Sequence, residues 1–355
     1  MKRLLTLCSL LIAVAVVTTA QPLPKMFAHR GCWSKIVPEN SIPAVSRAAQ
    51  HGYMGIELDV RLTSDGKMVI MHDKWLNRTC RNASDYSKLA EKVAVKDITL
   101  EELRENYVLA SPNEEYRTKV PTLEEILKEC KKHKVVPMLH SKYVESYRLA
   151  QKIMGDNWIC FTNNVEGLKE CRKFSKCLIL YAINSRTADS AEEVLAQLGG
   201  KLGVSSMERE ALTRERIKRF RNLGYEVQAS IYRTPREAYA LRDGVSIILS
   251  DYALMPDPNN KPVKVVTLDP QDLAQGETIT ISADKKVADG GCAIEIEAEG
   301  TIEIAIDKDR LYSLHNNGTH RDRVGMRFIN RKGYVKLHGI EPTKIKSATI
   351  YFYEF

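Results

Sequence analysis

The sequence predicts an α/β fold, a TIM-type (β/α)8 barrel followed by a small all-β, sandwich-like domain. Three observations carry that expectation. Between residues 26 and 249 short apolar runs alternate with stretches of helical periodicity, the pattern of strands joined by helical crossovers. At 256–262 three prolines fall within seven residues, and beyond them the helix signal stops. The 355 residues exceed one ordinary domain and accommodate a barrel of roughly 250 residues plus a smaller module.

The elements follow in order. A first strand at 26–28 leads to a helix over 40–51, with Asn40 or Ser41 near its start and Gly52 just past its end. Strands at 56–60 and 68–71 are separated only by the turn signal Ser64-Asp65-Gly66, which leaves no room for a helix and breaks the βαβ repeat. Residues 73–119 are polar and largely non-periodic apart from a helical stretch at 99–105, and such an excursion is where a lid or specificity loop is expected. A helix over 122–133 opens with Thr122 and Glu125 spaced as a capping box. Strands at 135–139, 158–161, 177–181, 202–205, 226–231 and 245–249 then alternate with helices at 144–154, 164–174, 190–198, 212–223 and 235–241. That makes nine candidate strands for a closed barrel of eight, and the surplus is expected in the helix-free hairpin or the weak run near 203.

The C-terminal module, 264–355, has strand patterns at 277–283, 292–299, 301–307, 324–329, 334–338 and 348–353. In Ile294-Glu295-Ile296-Glu297-Ala298-Glu299 the alternation is strict, as in an antiparallel sheet wetted on one face. Its aromatics, among them Tyr334, Tyr351, Phe352, Tyr353 and Phe355, suit core and cross-strand packing, so the module is expected to be a packing or oligomerisation accessory.

Residues 1–20 begin with Lys2 and Arg3, continue through an apolar run, and end in Thr18-Thr19-Ala20, the layout of a cleaved export signal too short for a membrane span. Cys8 precedes the apolar run, which argues against a lipoprotein site. The expected division is therefore a signal peptide at 1–20, the barrel at 21–258 and the β domain at 264–355, with a periplasmic or secreted product. Residues 21–265 hold 39 basic and 31 acidic side chains, net +8, whereas 266–355 carry net −2. The positive excess on the barrel suits an anionic substrate and equally a solubilising surface. No basic cluster alternates with aromatics as a nucleic-acid face would. The seven cysteines beyond the leader show neither a Cys-x-x-Cys pair nor regular spacing, so no disulfide framework or structural zinc is indicated; most suit buried apolar positions, and one disulfide in an oxidising compartment stays open with its pairing unassigned.

The chemistry is concentrated at strand ends. His29-Arg30 follows the first strand, Glu57 and Asp59 lie in the second, and His72-Asp73 follows the third. Two residues apart on a strand, Glu57 and Asp59 share a face, and two carboxylates held together call for a cation between them. His29 and His72 can move protons near neutral pH, and Arg30 offers a planar fork matched to phosphate oxygens.

His29-Arg30-Gly31, Pro38-Glu39-Asn40, Glu57-x-Asp59, the Thr63-x-Asp65-Gly66 turn, His72-Asp73 and Asn77-Arg78-Thr79 together resemble the glycerophosphodiester phosphodiesterase family. The similarity continues through 97–103 and 120–127 and covers most of residues 25–255. The resemblance implies a hydrolase with His29 and His72 as acid and base in unassigned order, and Arg30 and Lys142 on the substrate phosphate. It also implies a divalent cation at Glu57 and Asp59, with Glu39, Asn40 and Asp73 in support; Glu39 and Asn40, which could orient Arg30 or touch the metal shell, read equally as a helix start. The family pattern around Lys142 is Glu-x-Lys, and here His140 takes the glutamate position. The acidic pair suits Ca2+ or Mg2+, and the imidazole also admits Mn2+ or Zn2+. Ser230 stands where the family has a pocket tryptophan, which implies a roomier or more polar site. Asp251 matches the aspartate that ends the last strand and reads equally as a structural cap.

The expected function is hydrolysis of a small-molecule glycerophosphodiester to an alcohol and glycerol phosphate. Two alternatives stay open: a non-catalytic phosphodiester or sugar-phosphate binder, and a phospholipase-type enzyme on intact lipid head groups. The polar character of 73–119 argues against the second.

Overall fold

The computed structural model describes residues 25–34, 36–208, 210–230, 244–251, 262–306 and 311–354. The expected leader, the expected helix at 235–241 and the expected linker up to residue 261 lie outside them. Strand β1 (Lys25–Ala28) leads into helix α1 (Ile42–Gln50), capped by Ser41, and then into β2 (Gly55–Leu62) and β3 (Met68–Ile70). Next come β4 (Cys80–Asn82), α2 (Leu100–Asn106), β5 (Tyr107–Leu109) and α3 (Leu123–His133), the last with the Thr122/Glu125 capping box in place. Regular alternation follows: β6 (Val136–His140), α4 (Val144–Met154), β7 (Ile159–Thr162), α5 (Val165–Arg172) and β8 (Leu178–Ala182). It ends with α6 (Ala191–Ala196), β9 (Leu202–Ser206), α7 (Arg214–Asn222), β10 (Glu226–Ser230) and β11 (Ile247–Ser250).

Eight parallel strands close the barrel in the order β1-β2-β6-β7-β8-β9-β10-β11, with β11 returning to β1 through Phe27 beside Leu249. The ninth strand is β3. Five residues separate it from β2, too few for a parallel crossover, so it folds back antiparallel with Val60 opposite Ile70. The weak run near 203 is a full barrel strand, β9. Its apolar signal is thin because residue 203 must be glycine: a Cβ there would stand 2.3 Å from the Glu226 carbonyl and 2.8 Å from Leu180 Cδ2.

Strand parity sorts the barrel side chains. Phe27, Met138, Ile159, Leu180, Ile247 and Leu249 form one cluster inside the barrel. Their immediate chain neighbours Ala28, Leu139, Cys160, Ile179, Tyr181 and Ile248 belong to a second cluster under the helices. Glu57 is the register partner of Met138, and Asp59 that of His140, so both carboxylates continue the inner face. His29 and Asp251 continue the same parity one residue beyond β1 and β11.

Two expectations are corrected. Residues 73–119 are no bare loop: Leu76, Cys80, Val95, Leu103, Leu109 and Val120 form a separate core with Val69 and Met71, beside the two-stranded β4–β5 sheet. These buried residues are too widely spaced along the chain to make a period, which is why the segment looked polar. In the C-terminal domain the expected strands at 292–299 and 301–307 are one, β15 (Val287–Ile306), which bulges at Glu297–Glu299 and turns through Gly300 at φ +100°.

The remaining strands are β12 (Lys264–Leu268), β13 (Gln271–Leu273), β14 (Thr278–Ser282), β16 (Leu311–Arg331), β17 (Tyr334–Gly339) and β18 (Thr343–Glu354). All pairings are antiparallel, and β15 pairs along one edge with β16 and along the other with β18 and then β17. Residues from both halves of the bent strand, Ile294, Ile296, Ile302 and Ile304, share one core with Leu337 and Ile350. The opposite face is not uniformly wet: Glu295 is buried and accepts a hydrogen bond from Tyr351.

Candidate active site

The site gathers where the barrel strands end at their C-terminal rim, the position at which βα loops place reactive groups. Because the His29 amide donates to the Ser250 carbonyl at 3.1 Å, the next side chains on both strands meet. His29 Nδ1 lies 2.9 Å from Asp251 Oδ1, and since a carboxylate only accepts, the imidazole donates from Nδ1. The same oxygen accepts the Trp33 indole N–H at 2.9 Å. Asp251 therefore holds the histidine in one orientation, beyond capping a strand.

Arg30 and Asn40 both occupy the left-handed region, at φ 56° and 52°. That conformation turns the Arg30 amide onto Glu57 Oε2 at 3.2 Å, and the Arg30 carbonyl accepts the Asn40 amide at 2.8 Å. Asn40 then clasps Asp59: its side-chain N–H donates to Oδ2 at 3.2 Å while its oxygen accepts the Asp59 amide. The Arg30 guanidinium donates to Glu39 at 3.1 Å and lies 3.7 Å from Asp59. Glu39 thus orients Arg30, and the helix start belongs to Ser41 alone.

The second histidine is placed from the other side. The Met71 amide donates to the Asp59 carbonyl at 2.9 Å, and Arg61 grips the His72 carbonyl. His72 Nδ1 donates to Asp73 at 2.7 Å. Arg78 ties this pair to the rest, donating to Asp73 at 2.6 Å and to both oxygens of Glu39 at 2.7 and 2.8 Å. Its hydrogen bonds hold the Asp73 carboxyl down to about 2, with His72 assisting.

Glu57, Asp59 and His140 offer ligand atoms that all lie within 4.8 Å of one another. His140 Nδ1 is 3.2 Å from Asp59 and 3.7 Å from Glu57, and its ring rests 4.8 Å from that of Phe161. Burial, reinforced by the neighbouring Asp59, pushes the Glu57 carboxyl well above its ordinary range. Burial acts the same way on Asp59, but the hydrogen bond and charge of His140, with His72 and Arg30, hold it below. The opposite displacements of the two carboxyls mark a pair short of positive charge. A divalent cation fits that deficit, and the half-exposed His140 leaves the position open to solvent.

Lys142 is exposed, with its ammonium 5.5 Å from the centre of the Tyr143 ring. Ser230 is buried at the end of β10, where Gln228 donates to it at 3.2 Å and itself accepts from Ser205, a polar column along one barrel wall.

Residues 29–146 match the model of the glycerophosphoryl diester phosphodiesterase family. Over these residues the barrel is similar to that family. The chain is 28% identical over 211 residues to the uncharacterized protein YqiK of Bacillus subtilis, covering 56% of this chain and 83% of that protein. It is 42% identical over 106 residues to a glycerophosphodiester phosphodiesterase of Bacillus altitudinis, covering 30% of this chain and 39% of that enzyme. The chain thus spans well under half the length of that named relative. Among solved structures, an Oleispira antarctica phosphodiesterase in complex with the product sn-glycerol-3-phosphate superposes with a TM-score of 0.54 at 23% identity, covering 64% of this chain and 93% of that one.

Within the family pattern, sequence reasoning named His29, Arg30, Glu57, Asp59, His72 and His140, and the barrel gathers them on one rim. It left Arg78, Arg61 and Phe161 without a role. Arg78 lay in the quoted Asn77-Arg78-Thr79 run, but nothing in sequence announces that its fork folds back onto Glu39.

Proposed function

We propose that the protein is an exported, metal-assisted phosphoric diester hydrolase that cleaves glycerophosphodiesters to an alcohol and glycerol phosphate. The observation that carries this reading is the pairing of each histidine with its own aspartate on either side of one acidic cation cluster. Phosphodiester cleavage needs a group to take the proton of the attacking hydroxyl and another to protonate the leaving alkoxide, and two fixed imidazoles supply both. His29 is backed by Asp251 and His72 by Asp73, which stabilise the imidazolium that either forms on accepting a proton.

Arg30 neutralises charge building on the phosphoryl oxygens, with its orientation set by Glu39. Lys142, carried on the rim after β6, joins it once substrate is bound. Glu57, Asp59 and His140 would hold the cation, Ca2+ or Mg2+ by the acidic pair and Mn2+ or Zn2+ by the imidazole. When bound, that ion supplies Lewis-acid polarisation of a phosphoryl oxygen. The family likeness favours a neighbouring hydroxyl of the substrate as nucleophile, giving a cyclic phosphate that water opens. The basic leader before an apolar run supports export.

The test is turnover of a panel of glycerophosphodiesters by wild type, His29→Ala and His72→Ala with Ca2+, Mg2+, Mn2+ or Zn2+. Wild-type turnover that depends on an ion and is lost in both variants is expected. Ligand binding without turnover under any ion would make the protein a phosphodiester-binding barrel instead.

A further inference from the structure

Three cysteines cluster on the outer wall of the barrel, away from the residues assigned to chemistry. Cys160 lies in β7, Cys171 in the last turn of α5, and Cys177 immediately before β8, all buried. The Cys171 and Cys177 sulfurs are 3.9 Å apart, and Cys160 reaches Cys171 from the strand below. The turn between Cys171 and Cys177 is closed independently of the thiols. Phe174 and Ser175 amides donate to the Cys171 carbonyl at 3.2 and 3.1 Å, and the Cys177 amide donates to Ser175 Oγ at 3.1 Å. Arg172 fastens it from outside, donating to the Ser175 and Cys177 carbonyls at 2.9 and 3.0 Å. The backbone therefore delivers the two sulfurs to each other without help from a covalent bond.

We propose that Cys171 and Cys177 form a disulfide when the chain folds in an oxidising environment. The site is independent of the functional reading above. One thiolate attacks the disulfide of a low-molecular-weight oxidant such as oxidised glutathione and expels a glutathione thiolate. The second thiolate attacks the mixed disulfide and expels the other, so two electrons pass to glutathione and two protons leave the cysteines. The bond is made before the wall closes. In the folded chain the neighbouring Cys160 and burial hold the Cys171 thiol far above its ordinary range, and the Cys171 contact and burial do the same to Cys177. A buried pair with almost no thiolate exchanges slowly.

The test refolds denatured, reduced full-length chain in a glutathione redox buffer and, in parallel, under reductant, followed by alkylation and trypsin digestion without reduction. Trypsin cuts after Lys169, Arg172, Lys176 and Arg186, so the two cysteines fall on separate peptides, 170–172 and 177–186. The expected result is one cross-linked species containing both peptides, formed on oxidative refolding and far more slowly from folded, reduced chain. Recovery of both cysteines alkylated, or Cys160 joined to either, would overturn the assignment. Equally fast linkage in the folded chain would overturn the ordering. A second readout is thermal: the oxidised chain is expected to melt about 5 °C above the reduced one. A Cys171→Ser/Cys177→Ser double variant that folds under reductant is expected to lose that redox dependence, and an equal shift in it would sink the proposal.

Discussion

Replacing Asp251 with Asn tests the histidine pairing at the barrel seam. The side chain keeps its shape and can still accept the Trp33 indole N–H, but it no longer offers a negative charge to His29 Nδ1 at 2.9 Å. Both groups are mostly shielded from water, at 15% and 13% side-chain exposure, so solvent screens the contact little. A hydrogen bond to a charged group in such surroundings is worth about 1.5–3 kcal/mol, which converts to roughly a 10- to 150-fold loss of rate if the bond strengthens as His29 gains a proton. Steady-state kinetics on the best substrate across pH is the assay. The expected result is a fall in kcat with KM nearly unchanged, because the residue acts through His29 and touches no substrate, together with a displaced pH profile. Activity within twofold of wild type and an unmoved profile would refute the pairing as a working part of the site.

Three further outcomes follow. Glu57 retains its proton above the usual carboxylate range, so a cation must displace it: calorimetry in buffers of different ionisation enthalpy is expected to detect proton release, and affinity is expected to fall as pH drops through the raised value. By the same sign, the cation-free fold holds a proton that the unfolded chain loses at lower pH, so its Tm declines as pH rises from the unfolded glutamate value toward the raised one. Added cation reverses that decline. Gly55→Ala would set a Cβ 2.1 Å from the Phe27 ring and 2.5 Å from the Val136 carbonyl; urea unfolding is expected to register at least about 1–3 kcal/mol of destabilisation, and a loss under about 0.5 kcal/mol would contradict the packing. Arg78→Ala removes the fork joining Glu39 to Asp73; activity is expected to drop about tenfold while stability changes by under about 1 kcal/mol, since half of that side chain faces water.

The parts of the fold visible in sequence were those with a short period. Alternating strands and helices were readable, as were the Thr122/Glu125 cap and the impossibility of a helix between β2 and β3. Strand β9 looked weak because Gly203 yields its space to Leu180, a reason visible only once the neighbouring strand is present. The bent β15 read as two strands because Gly300 interrupts the alternation where the chain only turns. At the site, residue types revealed the chemistry but not the wiring. Glu39 and Asp251 each had two readings of equal weight, and each was decided by a partner far away in sequence, Arg78 and His29.

The annex at 73–119 has its own small apolar interior, distinct from both barrel clusters, and His72 sits where the chain leaves β3 to enter it. Two cores melt on their own terms, and the smaller one buries less surface. Gentle warming or denaturant would therefore free one imidazole while the barrel, with the other imidazole and the acidic pair, stays native. Inactivation would then precede the loss of global structure, and amides of the annex would exchange with solvent ahead of those in the barrel strands.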